Sequence, residues 1–396
     1  MRRTMIVAVL VLAAAPLAFA SGTVESEDTL NVAVPWAGEE LEQFKPVVEA
    51  FEEREGVRIR YLTYRSEDLA SVLPAQFEAG QTLADVIFMW DWWIEENPEH
   101  AIDLGSVWEA HEDTIVPPAI TADDKVVGVP FTMAAKPGFW YRQSLFEEHG
   151  LSEPESWDEF TELLREIGGI DGIKRPIVTG NGVGWPMTDL TEHFLIAYGG
   201  PDLQRDLIDG DERWQSSRVR DVFTDRLLPL VEEGAFSDPI EWTQAVELWW
   251  DGDYGLYFMG NWITGMVDDP NDLGVFSLPE TTAIVTTPDT LFIPTYSDQQ
   301  GLARRFTDFL LSAEGQRIRA QSGGKLIIRN DVSETSYPQT DRAVASVVAG
   351  METTVPDLDD TIGGDWQSTF WDQLKLLWVQ PDELDDVLRR LDETEK

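Results

Sequence analysis

The sequence predicts an α/β protein of two domains, and three observations carry this. Between Leu30 and Pro130, short apolar runs alternate with stretches of helical spacing, the pattern of a parallel sheet covered by helices. The length of 396 residues fits two domains. A hydrophobic content of 43% supplies a core, which removes the disordered class.

The elements follow in order. Leu30 to Val34 reads as a strand. Glu40 to Glu53 has helical spacing, with Leu41, Phe44, Val48 and Phe51 on one face, and Gly56 ends it. Val57 to Tyr61 alternates as a second strand. Glu67 to Ala79 is helical despite Pro74, and Ala84 to Met89 is a third strand. Lys125 to Pro130 is a short strand leading into a crossover. A second set opens with a strand at Phe139-Trp140-Tyr141 and a short helix from Ser144 to His149. Ser156 with Glu159 forms a capping box for the next helix. Ile177-Val178-Thr179 is a strand, and Thr191 to Ala197 and Ser217 to Glu233 are helices. Thr243 to Asp251 is helical, followed by strands at Tyr254 to Met259, Gly274 to Leu278 and Leu291 to Ile293. Asp298 to Ser312 is a helix, and Trp366 to Arg390 gives two helices broken at Pro381.

The chain holds sixteen tryptophans and no cysteine. Trp36, Trp90-Asp91-Trp92-Trp93 and Asn261-Trp262 each follow an apolar run, which places them just past strand ends. That is where ligands bind in α/β sheets. An indole offers an apolar face and one donor, and the acids and amides beside it offer directional polar groups. This pairing suits a sugar, which has a C–H face and a rim of hydroxyls.

Arg2-Arg3, the apolar stretch Met5 to Ala15 and Ala18-Phe19-Ala20 read as a secretory signal peptide cut after Ala20. No later segment is long and apolar enough to span a bilayer. The absence of cysteine excludes disulfides, thiol catalysis and a lipid-modified cysteine at the cleavage site. A periplasmic or secreted protein is expected. Without Arg2 and Arg3, 27 basic residues stand against 73 acidic ones, a net charge of −46. Nucleic acid and anionic membrane are poor partners for such a surface. Many acids with few lysines fit a protein that works in high salt, where self-repulsion is screened.

No nucleophile elbow, P-loop, zinc-protease motif or dinucleotide fingerprint is present. His100, His111, His149 and His193 are scattered. Asp268-Asp269 with Asn271-Asp272 lacks EF-hand spacing and reads as a solvated turn. No cofactor and no metal are expected. Paired carboxylates for glycoside hydrolysis stay open as an alternative, since so many acids make chance pairs.

Leu30 to Tyr61 (LNVAVPWAGEELEQFKPVVEAFEEREGVRIRY) resembles the opening of extracellular solute-binding proteins of ABC sugar importers, the maltose-binding-like group. The block with Gly128-Val129-Pro130-Phe131, Trp140-Tyr141, Leu145-Phe146 and Pro154 to Glu159 is similar to a characteristic stretch of that family. Tyr254 to Trp262 (YGLYFMGNW) and Phe306 to Gln316 (FTDFLLSAEGQ) resemble two further family segments. The opening PWAGEE also resembles importers of α-glucosides.

The resemblance implies a two-lobed periplasmic-binding-protein fold of type II, with the ligand cleft between the lobes. One lobe would hold residues 29–130 plus about 284–326, the other 131–279 plus about 332–396. The crossings would fall near Phe131, near 279–284 and near 326–332. By position, ligand contacts would come from Trp36, Glu39, Glu40, Arg65, Asp91 and Trp92 in the first lobe. Trp185, Asp189, Asn261, Trp262 and Trp366 would supply them in the second, with Asp289 and Arg329 as lesser candidates. The implied function is capture of a neutral di- or oligosaccharide by a monomer and its delivery, through hinge closure, to the transmembrane subunits of an ABC permease. The alternatives are a secreted carbohydrate-active enzyme, or a binding protein for a polyol or compatible solute.

Overall fold

The computed structural model describes residues 29–395. The signal-peptide reading lies outside them. The first sheet contains β1 (Thr29–Val34), β2 (Arg58–Thr63), β3 (Val86–Met89), β4 (Ile120–Ala122) and β5 (Lys125–Lys136). The second contains β6 (Gly138–Arg142), β7 (Arg175–Val178), β8 (Tyr254–Met259) and β9 (Leu273–Phe276). The chain then returns to the first sheet with β10 (Ala283–Phe292), β11 (Leu326–Ile327) and β12 (Thr353–Pro356).

The expected β–α–β beginning is present. β1 pairs in parallel with both β2 and β3, with helices Gly38–Glu55 and Ser66–Glu78 as crossovers. The first helix buries Phe44, Val47, Val48 and Phe51, and Gly56 closes it in the left-handed conformation. Pro74 is absorbed within the second. Ser156 caps its helix by accepting from the Glu159 N–H, while the Glu159 carboxylate reaches back to the Glu155 N–H.

The first sheet is mixed rather than parallel, because β10 runs antiparallel to β3 and β5. β10 enters from the second sheet without a helix crossover, and antiparallel pairing needs none. The sequence showed only the apolar end of this strand. Its polar middle, Thr286-Thr287-Pro288-Asp289, mimics a turn but continues the ladder, which reaches Lys136 opposite Val285. β5 therefore stays in the first sheet past Phe131, and the chain crosses at Pro137. There Gly138 has φ 138°, and a Cβ on it would lie 2.1 Å from the Phe276 carbonyl oxygen, so only glycine permits the crossing.

The chain crosses back to the first sheet between β9 and β10. The last segment does not belong wholly to the second lobe, because β12 pairs with β10 in the first sheet. Helices Gly364–Val379 and Leu384–Glu393 then pack in the second core with Phe139, Phe160 and Leu256. Helix Trp185–Phe194 starts earlier than its periodicity showed, with Pro186 in its first turn, and runs into a π turn at Leu195–Gly199.

Candidate functional site

The two sheets face one another across a cleft of about 460 Å³. Strand ends build its first wall. Trp36 and Glu40 follow β1, Arg65 and Ser66 follow β2, and Trp90, Asp91, Trp92 and Glu95 follow β3. The opposite wall carries Trp185 and Asp189 on one helix, with Trp242, Trp262 and Trp371. Thr286 to Thr290 of β10 and Lys325 span the floor. Helix Leu358–Ile362 closes one end, where Gly363 touches the Trp92 indole and leaves no room for a Cβ.

The indoles form two groups. Trp90 and Trp92 stack with centroids 5.7 Å apart at 22°. Trp185 meets Trp242 at 5.5 Å and Trp262 at 5.8 Å, both at about 60°. Lys325 lies 5.2 Å above the Trp262 ring and 3.3 Å from Asp289, which also accepts the Thr132 hydroxyl. Lys136 pairs with Asp189 at 2.5 Å and with Asp357. Asp359 accepts from the Trp371 indole N–H at 2.6 Å, which fixes that ring at the cleft edge.

Of the residues expected to bind ligand, Trp36, Glu40, Arg65, Asp91, Trp92, Trp185, Asp189 and Trp262 come together here, as does Asp289. Trp36 is mostly core: it is 5% exposed and packs 4.8 Å from Phe88. Glu39 points to solvent in its helix's first turn, outside the cleft lining. Asn261 is fully buried, and its Oδ1 accepts from the Ala135 N–H at 2.9 Å, so it ties a turn to the crossing strand. Trp366 is not a stacking platform. It is 1% exposed and packs 4.9 Å from Phe370 and 5.7 Å from Trp214 in the second core. Arg329 lies elsewhere, bonded to Asp331 and the Leu311 carbonyl.

Sequence reasoning missed Trp242, Trp371, Lys136, Lys325, Asp357 and Asp359. Asp357, Asp359 and Asp360 form an acid-dense run beside Gly363-Gly364, a signal that was legible. Trp371 is five residues beyond Trp366 on one helix, which turns it to a different face.

Burial dominates the electrostatics. It raises Asp91 to about 6, with a Thr290 hydroxyl bond opposing it. It raises Glu40 as well, against the pull of Lys325. It raises Asp189 to about 8 despite Lys136, and Asp359 to about 7 with Asp357 adding to the rise. Burial also pushes against the charge on Asp357, but the Lys136 ammonium holds that carboxyl low. The raised groups bind protons more tightly folded than unfolded. Their stabilisation is present near pH 4 and is lost as pH rises through about 6 to 8. The unliganded protein is therefore expected to be more stable at pH 5 than at pH 8 by about 1–3 kcal/mol at fixed molar salt. Urea titrations at both pH values check this, and equal or reversed stabilities contradict it.

The fold and the cleft define a two-lobed binding protein, and comparison with known proteins agrees. Residues 37–317 match the family of bacterial extracellular solute-binding proteins, and the chain belongs to it. An uncharacterized ABC transporter extracellular-binding protein of Pyrococcus horikoshii is 52% identical over 372 residues, covering 92% of this chain and 88% of that one. The bacterial solute receptor AcbH, described as preferring β-D-galactopyranose, superposes with a TM-score of 0.84 at 15% identity, over 93% of this chain and 98% of that one. Maltose-bound MalE3 of T. maritima superposes with a TM-score of 0.75 at 17% identity, over 92% and 98%. These structural likenesses show the fold.

Proposed function

We propose that this protein captures a neutral sugar, a di- or oligosaccharide, in the cleft and delivers it to an ABC permease by closure of the two lobes. One observation carries the reading: Trp92 on one wall and Trp185, Trp242 and Trp262 on the other bracket a space rimmed by carboxylates and hydroxyls. Apolar faces opposed across a polar rim match the two-sided chemistry of a pyranose ring. Asp91 Oδ1 and the Trp92 indole N–H are buried without protein partners, so an acceptor and a donor are both free for hydroxyls. AcbH and MalE3, which share the fold, bind sugars by their descriptions. The family is one of binding proteins, so the reading is capture without turnover. Among the described residues no helix is long and apolar enough to cross a membrane. We infer from the leader read in the sequence that the protein is exported to the periplasm or medium, and that it acts there as a monomer.

A thermal-shift screen across mono-, di- and oligosaccharides tests this, because a ligand that binds only the folded state raises the melting point. At least one neutral sugar is expected to do so. With that sugar, Trp262→Ala is expected to weaken binding by about 1–3 kcal/mol, the scale of a lost aromatic contact. Unchanged affinity in both Trp262→Ala and Trp92→Ala would remove the stacking account. Chromatography of the recovered sugar should show no cleavage.

A further inference from the structure

We propose that Asp189, Glu192, Asp357 and Asp359, in the wall of the cleft, form a binding site for a hard divalent cation of the calcium class. One oxygen from each of these four buried residues lies within 4.8 Å of the others. Asp189 and Glu192 are on one face of helix Trp185–Phe194, three residues apart. Asp357 and Asp359 come from the turn and helix start after β12. An ion here would fasten the two segments together beside the cleft.

The charge balance calls for a second cation. Lys136 pairs with Asp189 and Asp357, and its charge acts on all four carboxylates. One ammonium cannot compensate four buried carboxylates, whose desolvation is costly. They must bind protons or another cation.

A separate observation points to an ion. Asp189 Oδ2 and Glu192 Oε1 accept no hydrogen bond, although these residues are only 2% and 0% exposed. Gln204 is also fully buried; its amide donates to Glu192 Oε2 at 2.7 Å, and its own Oε1 is left without a donor. Such orphaned acceptors are rare in folded interiors. All three are oxygens, two of them carboxylate and one amide, which is the donor set hard cations take. The remaining oxygens are already oriented. Asp359 accepts from Thr188, Gln367 and Trp371, and Glu192 Oε2 also accepts from the Leu358 N–H. Held in this way, the carboxylates resemble ion ligands fixed by an outer shell of bonds.

Calorimetric titration of chelator-treated protein with CaCl2 tests this, in molar NaCl to suppress ion binding at the acidic surface. One saturable site per chain is expected. Glu192→Gln and Asp359→Asn should each weaken it by about tenfold or more, since ligand charge sets affinity in such sites. Absence of a saturable site in the wild-type protein would overturn the proposal. So would binding unchanged in both folded variants. The wild-type titration decides the matter even where a variant does not fold.

Discussion

Lys136→Met is expected to cost about 3–5 kcal/mol of folding stability, the penalty of leaving buried charge without its partner. Lys136 is 6% exposed and sits between Asp189 and Asp357, with Glu192 and Asp359 close by. Methionine restores the bulk of the side chain and none of the charge, so the loss reports electrostatics rather than a cavity. The orphaned carboxylates would then take up protons, and the deficit should shrink as pH falls from 8 to 5. Lys174→Met is the control. That residue pairs with Asp253 at the surface, where water screens the pair, and little change is expected. Denaturant titrations of both variants at the two pH values check the prediction. A Lys136→Met loss below about 1 kcal/mol would mean that protons, rather than lysine, already neutralise the cluster.

Trp366→Ala is expected to cost a similar amount, about 3–5 kcal/mol, through the cavity it leaves. Its indole lies in the second core against Trp214 and Phe370, and its N–H donates to the Leu391 carbonyl at 3.3 Å. Sugar affinity should be unaffected, because this residue does not line the cleft. Trp371→Ala is expected to behave in the opposite way. Its ring is half-buried at the cleft edge, so affinity should fall more than stability. Paired melting and binding curves separate the two. A Trp366→Ala protein that keeps its stability and loses affinity would reverse the assignment.

Much of the architecture was legible because it is written locally. The apolar runs at Leu30 to Val34 and Tyr254 to Met259 became strands. The stripe of Phe44, Val48 and Phe51 became a buried helix face, and Gly56 became its left-handed terminus. The limits of this reading were also local. The middle of β10, Thr286 to Asp289, is polar and half-buried because it lines the cleft, so it hid the continuity between the apolar start at Ala283 to Val285 and the apolar end. β12 is a short edge strand with one buried residue, too weak a pattern to stand out.

The sequence by itself determined the α/β class, the order of most elements and the strand-end positions of Trp36, Asp91 and Trp92, because strand period, helix face and caps depend on neighbours a few residues away. Only the tertiary structure decided which indoles face the ligand. Trp366 and Trp371 share a helix, yet one fills the core and the other edges the cleft, since the packing direction of that helix is set by its distant partners. The same holds for Lys136, Asp189 and Asp357. Lys136 and Asp189 are isolated charges in the sequence and Asp357 belongs to an acidic run, and they become one buried cluster because strand, helix and turn from three separate parts of the chain converge on the cleft wall.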